Sequence, residues 1–176
     1  MSEVFISYVR EDERFVKYLA RVLDFNGVKA WIDKDGLEPG VRWKSAIENA
    51  IRRGTFFLSL YSRSRQARDQ SYANEELVVA IEGIRRRPSQ KSWFIPIKID
   101  ECEIEPRSIG AGETILDFQI CDLREWSSGA TALLRALGVS DPVVDLRQPL
   151  APGLPSALEI ENGFIRYEEI EGAPEI

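Results

Sequence analysis

The fold is decided in residues 4–32, VFISYVREDERFVKYLARVLDFNGVKAWI. VFISY (4–8) is a compact apolar run of strand length. After it, Phe15, Tyr18, Leu19, Val22 and Leu23 recur at i, i+3, i+4, i+7 and i+8, the apolar stripe of an amphipathic helix. Glu11, Asp12 and Glu13 fill its first turn, where negative charge complements the helix dipole, and Gly27 supplies a left-handed stop. VKAWI (28–32) is a second strand. Strand, helix, strand without a hairpin turn is a β-α-β unit, which makes the two strands parallel.

The same alternation continues outward. DKDGLEPG (33–40) is a turn-rich loop, and Trp43, Ile47, Ala50 and Ile51 form a second helical stripe. TFFLSLY (55–61) is a third strand, and a polar loop (62–70) leads into a helix that begins in SYANEEL (71–77). WFIPIKI (93–99) is a fourth strand, and DECEIEPRSIGAGE (100–113) reads as a long irregular loop. TILDFQI (114–120) reads as the fifth strand, and GATALLRAL (129–137) as a last helix ending at Gly138. Five strands alternating with helices imply an α/β, flavodoxin-like three-layer fold whose five-stranded parallel sheet has the order 2-1-3-4-5. Residues 1–138 are expected to form this domain. SDPVVDLRQPLAPGLPSA (140–157) holds four prolines, so 139–157 reads as an extended linker. LEIENGFIRYEEI (158–170), alternating around Asn162-Gly163, is a hairpin signal within a 158–176 extension.

Composition removes whole classes of chemistry. The chain has 176 residues and no histidine, which excludes Ser-His-Asp and Cys-His nucleophile systems and the histidine-built zinc and iron sites. Two cysteines, Cys102 and Cys121, are too few for a zinc cluster, so no metal is expected. A net charge of −6 argues against a nucleic-acid partner. The basic run IRRRP (84–88) suits the C-terminal end of a helix. No apolar run approaches membrane-spanning length, and the N-terminus lacks a signal-peptide pattern, so a cytoplasmic location and no membrane partner are expected.

Ligands of open parallel sheets bind beyond the carboxyl ends of the strands, at the switch point between strands one and three. The segments that reach this edge carry neither GxGxxG nor GxxxxGK[ST]. The position where a receiver-type phosphoryl site wants paired acids reads Ser7-Tyr8, which weakens a receiver or flavin-binding reading. Two adjacent acids, Glu75 and Glu76, stand at the start of the third helical segment. Ala73, Leu77, Ala80, Ile81 and Ile84 define its buried stripe. At 100° per residue Glu75 points roughly 180° from the stripe centre, and Glu76 roughly 85°, on the shoulder it shares with Tyr72. Glu75 is a solvated charge by this geometry; Glu76 is either a surface or capping acid or a functional carboxylate at the crevice.

In three places, in order, the residues resemble a TIR (Toll/interleukin-1 receptor) domain. VFISYVRED is similar to the family's first box, WIDKDGLEPGVRW to its BB-loop, and SLYSRSR…SYANEEL to its third strand and the helix of its catalytic glutamate. FIPIKIDECEIEP and ILDFQICDLREW resemble the late strands of bacterial TIR proteins. The resemblance covers about 1–138 and implies one of two classes: a self-associating adaptor, or an enzyme cleaving the nicotinamide–ribose bond of NAD by hydrolysis or cyclisation, with NAD+ as substrate and no cofactor. Bacterial antiphage defence or stress signalling is the implied setting. Enzymatic members carry a glutamate four residues after an aromatic, usually Trp; here that spacing falls on Tyr72 and Glu76, with Tyr as a departure.

The resemblance also proposes roles for residues whose plain readings stay open. Tyr8 and Arg10 follow strand one, where the family's ligand-facing loop lies; Arg10 is either a phosphate contact or a helix-flanking surface charge. Asp33 matches an acidic position of the family or simply starts a turn. Trp43 walls the pocket or belongs to the core stripe, and Ser62 bonds a ribose hydroxyl or begins a turn. The region 33–42 is the implied self-association surface, and a separate sensor or effector protein the implied partner.

Overall fold

The computed structural model describes residues 2–32, 56–68, 77–78, 80–82 and 93–144, with two short strands at 160–161 and 164–165. In these residues β1 (Glu3–Ser7), β2 (Lys29–Ile32), β3 (Phe56–Tyr61), β4 (Phe94–Lys98) and β7 (Cys121–Asp122) form one sheet in the order β2-β1-β3-β4-β7, every pairing parallel. Numbered by position in this sheet, that is the expected 2-1-3-4-5.

Alternation along the strands builds two separate cores. On one face Val4, Ile6, Leu58, Leu60, Ile95 and Ile97 pack beneath α1 (Glu13–Phe25) and the last helix, α3 (Trp126–Ala136). On the other, Phe57, Tyr61 and Phe94 pack with the helical residues Leu77, Ala80 and Ile81, and with Trp93, Ile109 and Ile115. The stripe read for the third helical segment is therefore buried at each described position, whereas Val78 is exposed. β1 and β3, mostly apolar, hold the sheet's centre, as a parallel strand covered on both faces requires. Trp31 sits half-buried on the edge strand β2 beneath the Lys29 ammonium, 4.3 Å from its ring.

Pro96 lies within β4, a strand with neighbours on both sides, yet breaks no ladder bond. Phe57 N–H donates to Trp93 O (2.7 Å) and Ile99 N–H to Tyr61 O (3.1 Å), so odd-numbered residues of β4 face β3. Pro96 faces the other way, and β7 begins to pair only at Ile97.

The late strands differ from the sequence expectation. TILDFQI (114–120) is not the fifth strand. Glu113–Thr114 (β6) closes an antiparallel pair with Ser108–Gly110 (β5), inside the stretch expected to be irregular. Ile115–Asp117 then forms a 3-10 turn, with Thr114 capping it and the Asp117 carboxylate accepting from the Thr114 N–H at 2.6 Å. This reciprocal T-x-x-D cap outcompetes extension. Ile115 is buried as a plug, Leu116 is exposed, and the sheet's fifth strand comes later, at Cys121–Asp122.

α3 starts at Trp126, three residues earlier than expected, and so places Gly129 inside the helix. A Cβ there would lie 2.1 Å from the Asp122 carbonyl oxygen, so only glycine lets this helix approach β7. Past Gly138, Val139 and Val144 pack on the first core, and the Asn26 side chain that closes α1 bonds both the N–H and the carbonyl of Val143 at 2.8 Å. Ile160–Glu161 and Phe164–Ile165 pair antiparallel across Asn162-Gly163. We predict that Gly129→Ala lowers stability by about 1–3 kcal/mol, the usual cost of overpacking, measured as a fall in the urea midpoint. An unchanged midpoint would show that α3 can shift away from β7.

Candidate functional site

The carboxyl edge of the sheet is held together by side chains crossing from one loop to the next. β1 ends at Ser7, and the chain runs through Tyr8 and Val9 into a 3-10 turn, Arg10–Asp12, that feeds α1. Asp12 occupies the N-cap position of α1 but makes no side-chain cap bond. Its carboxylate reaches instead to the end of β3, where Oδ2 accepts the Ser62 hydroxyl proton at 2.6 Å. Ser62 in turn caps α2 (Arg63–Gln66), a single helical turn: its Oγ accepts from the Arg65 N–H at 3.0 Å. Ser62 has one proton and gives it to Asp12.

Asp12 and Ser62 are both buried, at 1% relative exposure. The polar seam continues inward through Arg65, also buried. Arg65 Nη1 donates to Ser59 Oγ (3.1 Å) and to Leu60 O (2.6 Å), and its guanidinium lies 4.6 Å from the Tyr61 ring. Ser59 pairs in register with Ser7 across β1 and β3. Burial raises the Asp12 carboxyl from 3.8 to about 6; the Ser62 bond opposes that rise, Asp100 and Glu11 add to it, and Arg65 counters it. Asp12 Oδ1 is buried with no hydrogen-bond donor among the described residues.

The loop after β3 is also tied to the loop after β4. The Arg63 N–H donates to both Asp100 oxygens at 2.9 and 3.1 Å, Arg63 Nε to Glu101 O at 2.9 Å, and the Glu103 N–H to Gln66 Oε1 at 3.1 Å. Arg68 pairs with Glu11 on the β1 side, and Arg124 joins Glu101 to Asp122 on the β7 side. Behind Ser62, a cavity of about 200 Å³ is lined in part by Tyr61, Arg65, Leu77, Arg107 and Ile115. It falls short of the roughly 300–1,000 Å³ of a typical ligand pocket. It does not by itself hold a dinucleotide.

Residues 4–137 match the family model of the TIR domain. The chain belongs to the TIR-domain family. Its sequence is 28% identical over 127 residues to the uncharacterized protein y4cD of Sinorhizobium fredii (strain NBRC 101917 / NGR234), a match that takes in 72% of this chain. The chain spans only 18% of that relative's length. Its structure is similar to the TIR domains in the activated Roq1 resistosome directly recognizing the pathogen effector XopQ. That similarity has a TM-score of 0.51 and 20% identity over 77% of this chain and 96% of the other, and it speaks to the fold.

Of the expected site residues in this TIR domain, Tyr8, Arg10 and Ser62 come to the same edge of the sheet. Tyr8 is half-buried against the first core, Arg10 is exposed, and Ser62 is buried in its bond with Asp12. Asp33, Trp43, Tyr72 and Glu76 lie outside the described residues, as does the expected self-association surface at 33–42. Leu77, which follows Glu76 in the chain, is helical and buried beside Tyr61. The sequence marks neither Asp12 nor Arg65 as a site residue: one looks like a first-turn acid, the other like one of several loop arginines. The available signal is Ser7 and Ser59, polar residues interrupting two central apolar strands close to their carboxyl ends.

Among the described residues no cluster of His, Cys, Asp or Glu could hold a metal ion, and no helix is long and apolar enough to cross a membrane. Cys102 and Cys121 are free, and burial pushes their thiols up to about 11 and about 12.

The Asp12 shift fixes a sign. The folded protein holds this proton up to about pH 6, against 3.8 for an ordinary Asp. The group's contribution to stability is therefore complete below about pH 3.8 and is lost as pH rises through about 6. Asp12→Asn cannot titrate. The melting temperature of the variant minus that of the wild type should therefore increase between about pH 4 and pH 7, the window in which the folded and unfolded charges differ. A difference that is flat or falls across that window would contradict a buried, proton-retaining Asp12.

Proposed function

We propose that this TIR domain cleaves the nicotinamide–ribose bond of NAD+, with Glu76 as the single catalytic carboxylate. The observation that carries the reading is the buried anchoring of Leu77, Ala80 and Ile81 against the β3 face of the sheet. The helical residues that follow Glu76 in the chain are thereby rooted beside the carboxyl end of β3, next to the switch point where this fold class binds ligands. The angular reading then leaves Glu76 and Tyr72 together on the crevice shoulder and Glu75 in water.

The chemistry suits a chain without histidine. Ordinary glycoside hydrolysis needs one carboxyl group to protonate the leaving group and a second to activate or replace water. In NAD+ the leaving group is a cationic pyridinium. When the bond between the ribose C1′ and the nicotinamide nitrogen breaks, the electron pair stays on that nitrogen and nicotinamide departs neutral, without a general acid. Positive charge develops on the ribose, and one carboxylate stabilises it electrostatically. Water adding at C1′ and losing a proton gives ADP-ribose; attack by a nucleophile within the same molecule gives a cyclic product. Access of water decides between them.

Around Glu76, Tyr72 offers an aromatic face, Arg10 a guanidinium for the pyrophosphate, Tyr8 and Trp43 the pocket walls, and Asp33 a hydroxyl contact. Ser62 shapes the edge through its position, because its proton goes to Asp12. The setting we infer, antiphage defence or stress signalling with a separate sensor or effector, is the one that the resemblance to bacterial TIR proteins implies. Self-association through 33–42 completes the site in trans, so the dilute monomer turns over slowly. The non-catalytic reading, a scaffold acting by TIR–TIR assembly, is supported by the likeness to the TIR domains of a resistosome.

Two outcomes are expected. Glu76→Ala should lower nicotinamide release by about 10²-fold or more, the usual loss when a transition-state electrostatic group is removed, while Glu75→Ala retains the wild-type rate. Equal losses in both variants, or none in Glu76→Ala, would sink the assignment. Specific activity should rise with protein concentration in parallel with assembly followed by light scattering. Constant specific activity down to monomeric dilution would show that each copy is complete.

A further inference from the structure

We propose that Asp12 is a positioning residue for the Glu76 site: its buried carboxylate latches the chain leaving β3, which runs on to Glu76, to the loop that carries Tyr8 and Arg10. This rests on the NAD-cleavage reading above.

Four observations carry it. First, Asp12 stands where it could cap α1, yet its side chain makes no cap bond and spans 50 residues to Ser62 instead. A carboxylate at the start of a helix has an easy local use, and this one is turned away from it. Second, the bond is nearly free of solvent, with Asp12 and Ser62 each 1% exposed. A buried ionisable group is costly, and a neutral or apolar residue in its place is often as stable, so bulk stability does not account for it. Third, the Ser62 hydroxyl is satisfied on both sides, donating to Asp12 and accepting from the Arg65 N–H, so the latch also sets the first turn of α2. Fourth, α2 is clamped on its other side by Asp100 and Glu101 through Arg63, and by Gln66 through the Glu103 N–H. The chain leaving β3 thus departs from a fixed point, and Leu77, one residue after Glu76 in sequence, is anchored in the second core. An error of about 1 Å in where Glu76 meets the sugar can cost a factor of about 10² in rate, which gives the latch its leverage.

The test compares wild type, Asp12→Ala, Asp12→Asn, Ser62→Ala and the Asp12→Ala/Ser62→Ala double variant, each as the full chain at one protein concentration. Nicotinamide release from NAD+ and backbone hydrogen exchange are both measured. Asn keeps an acceptor for the Ser62 proton, and Ala does not. The expected result is a fall of about 10-fold or more in kcat for Asp12→Ala with KM changed less than about threefold, the signature of misplaced chemistry rather than lost binding. Asp12→Asn should restore kcat to within about threefold of wild type, and the double variant should be no worse than Ser62→Ala alone, since that variant has already lost the contact with Asp12. Exchange in Asp12→Ala should speed up in 62–68 and 77–82, with β4 amides unchanged.

An unaltered kcat in Asp12→Ala, multiplicative losses in the double variant, failed rescue by Asn, or faster exchange confined to 10–16 would each overturn the proposal. If wild type releases no nicotinamide, the NAD reading fails by itself. Exchange then decides the latch alone: it stands if 62–68 and 77–82 loosen together and falls if they do not.

Discussion

One hydrogen bond, from the Ser62 hydroxyl to the Asp12 carboxylate, joins the two central strands of this sheet where their chains part. Parallel strands leave the sheet at the same edge and send their chains to opposite faces. At the switch point nothing in the backbone ladder holds the departing loops together. Here a buried carboxylate does so. Its consequences spread outward: Ser62 caps α2, Arg65 threads beneath it to Ser59 and Leu60, and Arg63 and Gln66 fasten the loop after β4. Arg124 extends the chain of contacts to β7. The desolvated carboxylate is energetically expensive, and Ser62 and Arg65 offset only part of that cost.

The reaction proposed for this edge asks little of the protein's chemistry and much of its geometry. A pyridinium leaving group removes the need for an acid, and one carboxylate can meet the charge that develops on the ribose. A histidine-free chain can supply that, provided the carboxylate is aimed. In that proposal, aim depends on how the helical residues after Glu76 are held and how their face is turned. The buried Leu77, Ala80 and Ile81 govern the turn of that face, and the laced loops govern the chain that leads into it.

Much of this fold is legible in residues 4–32, because a strand, an amphipathic stripe and a second strand leave few arrangements open. The central strands are equally plain, since burial on both faces demands runs that are mostly apolar. The late chain is not. Ile115 and Leu116 suggest a strand, but a local Thr114–Asp117 cap wins over extension, and the true fifth strand, Cys121–Asp122, is too short to register as a pattern. The site follows the same division. Tyr8, Arg10 and Ser62 are placed by topology alone. Asp12 and Arg65 acquire their meaning from a contact 50 residues apart in sequence and from a guanidinium folded back beneath its own strand, neither of which leaves a periodic trace.

The central claim is that this TIR domain breaks the nicotinamide–ribose bond, and proton NMR of NAD+ incubated with the concentrated wild-type protein tests it most directly. The account predicts that free nicotinamide resonances grow in step with the loss of NAD+, accompanied by ADP-ribose or a cyclic isomer and without an added metal or cofactor. A spectrum in which NAD+ persists unchanged at high protein concentration, under conditions where the TIR domains have assembled, would contradict it.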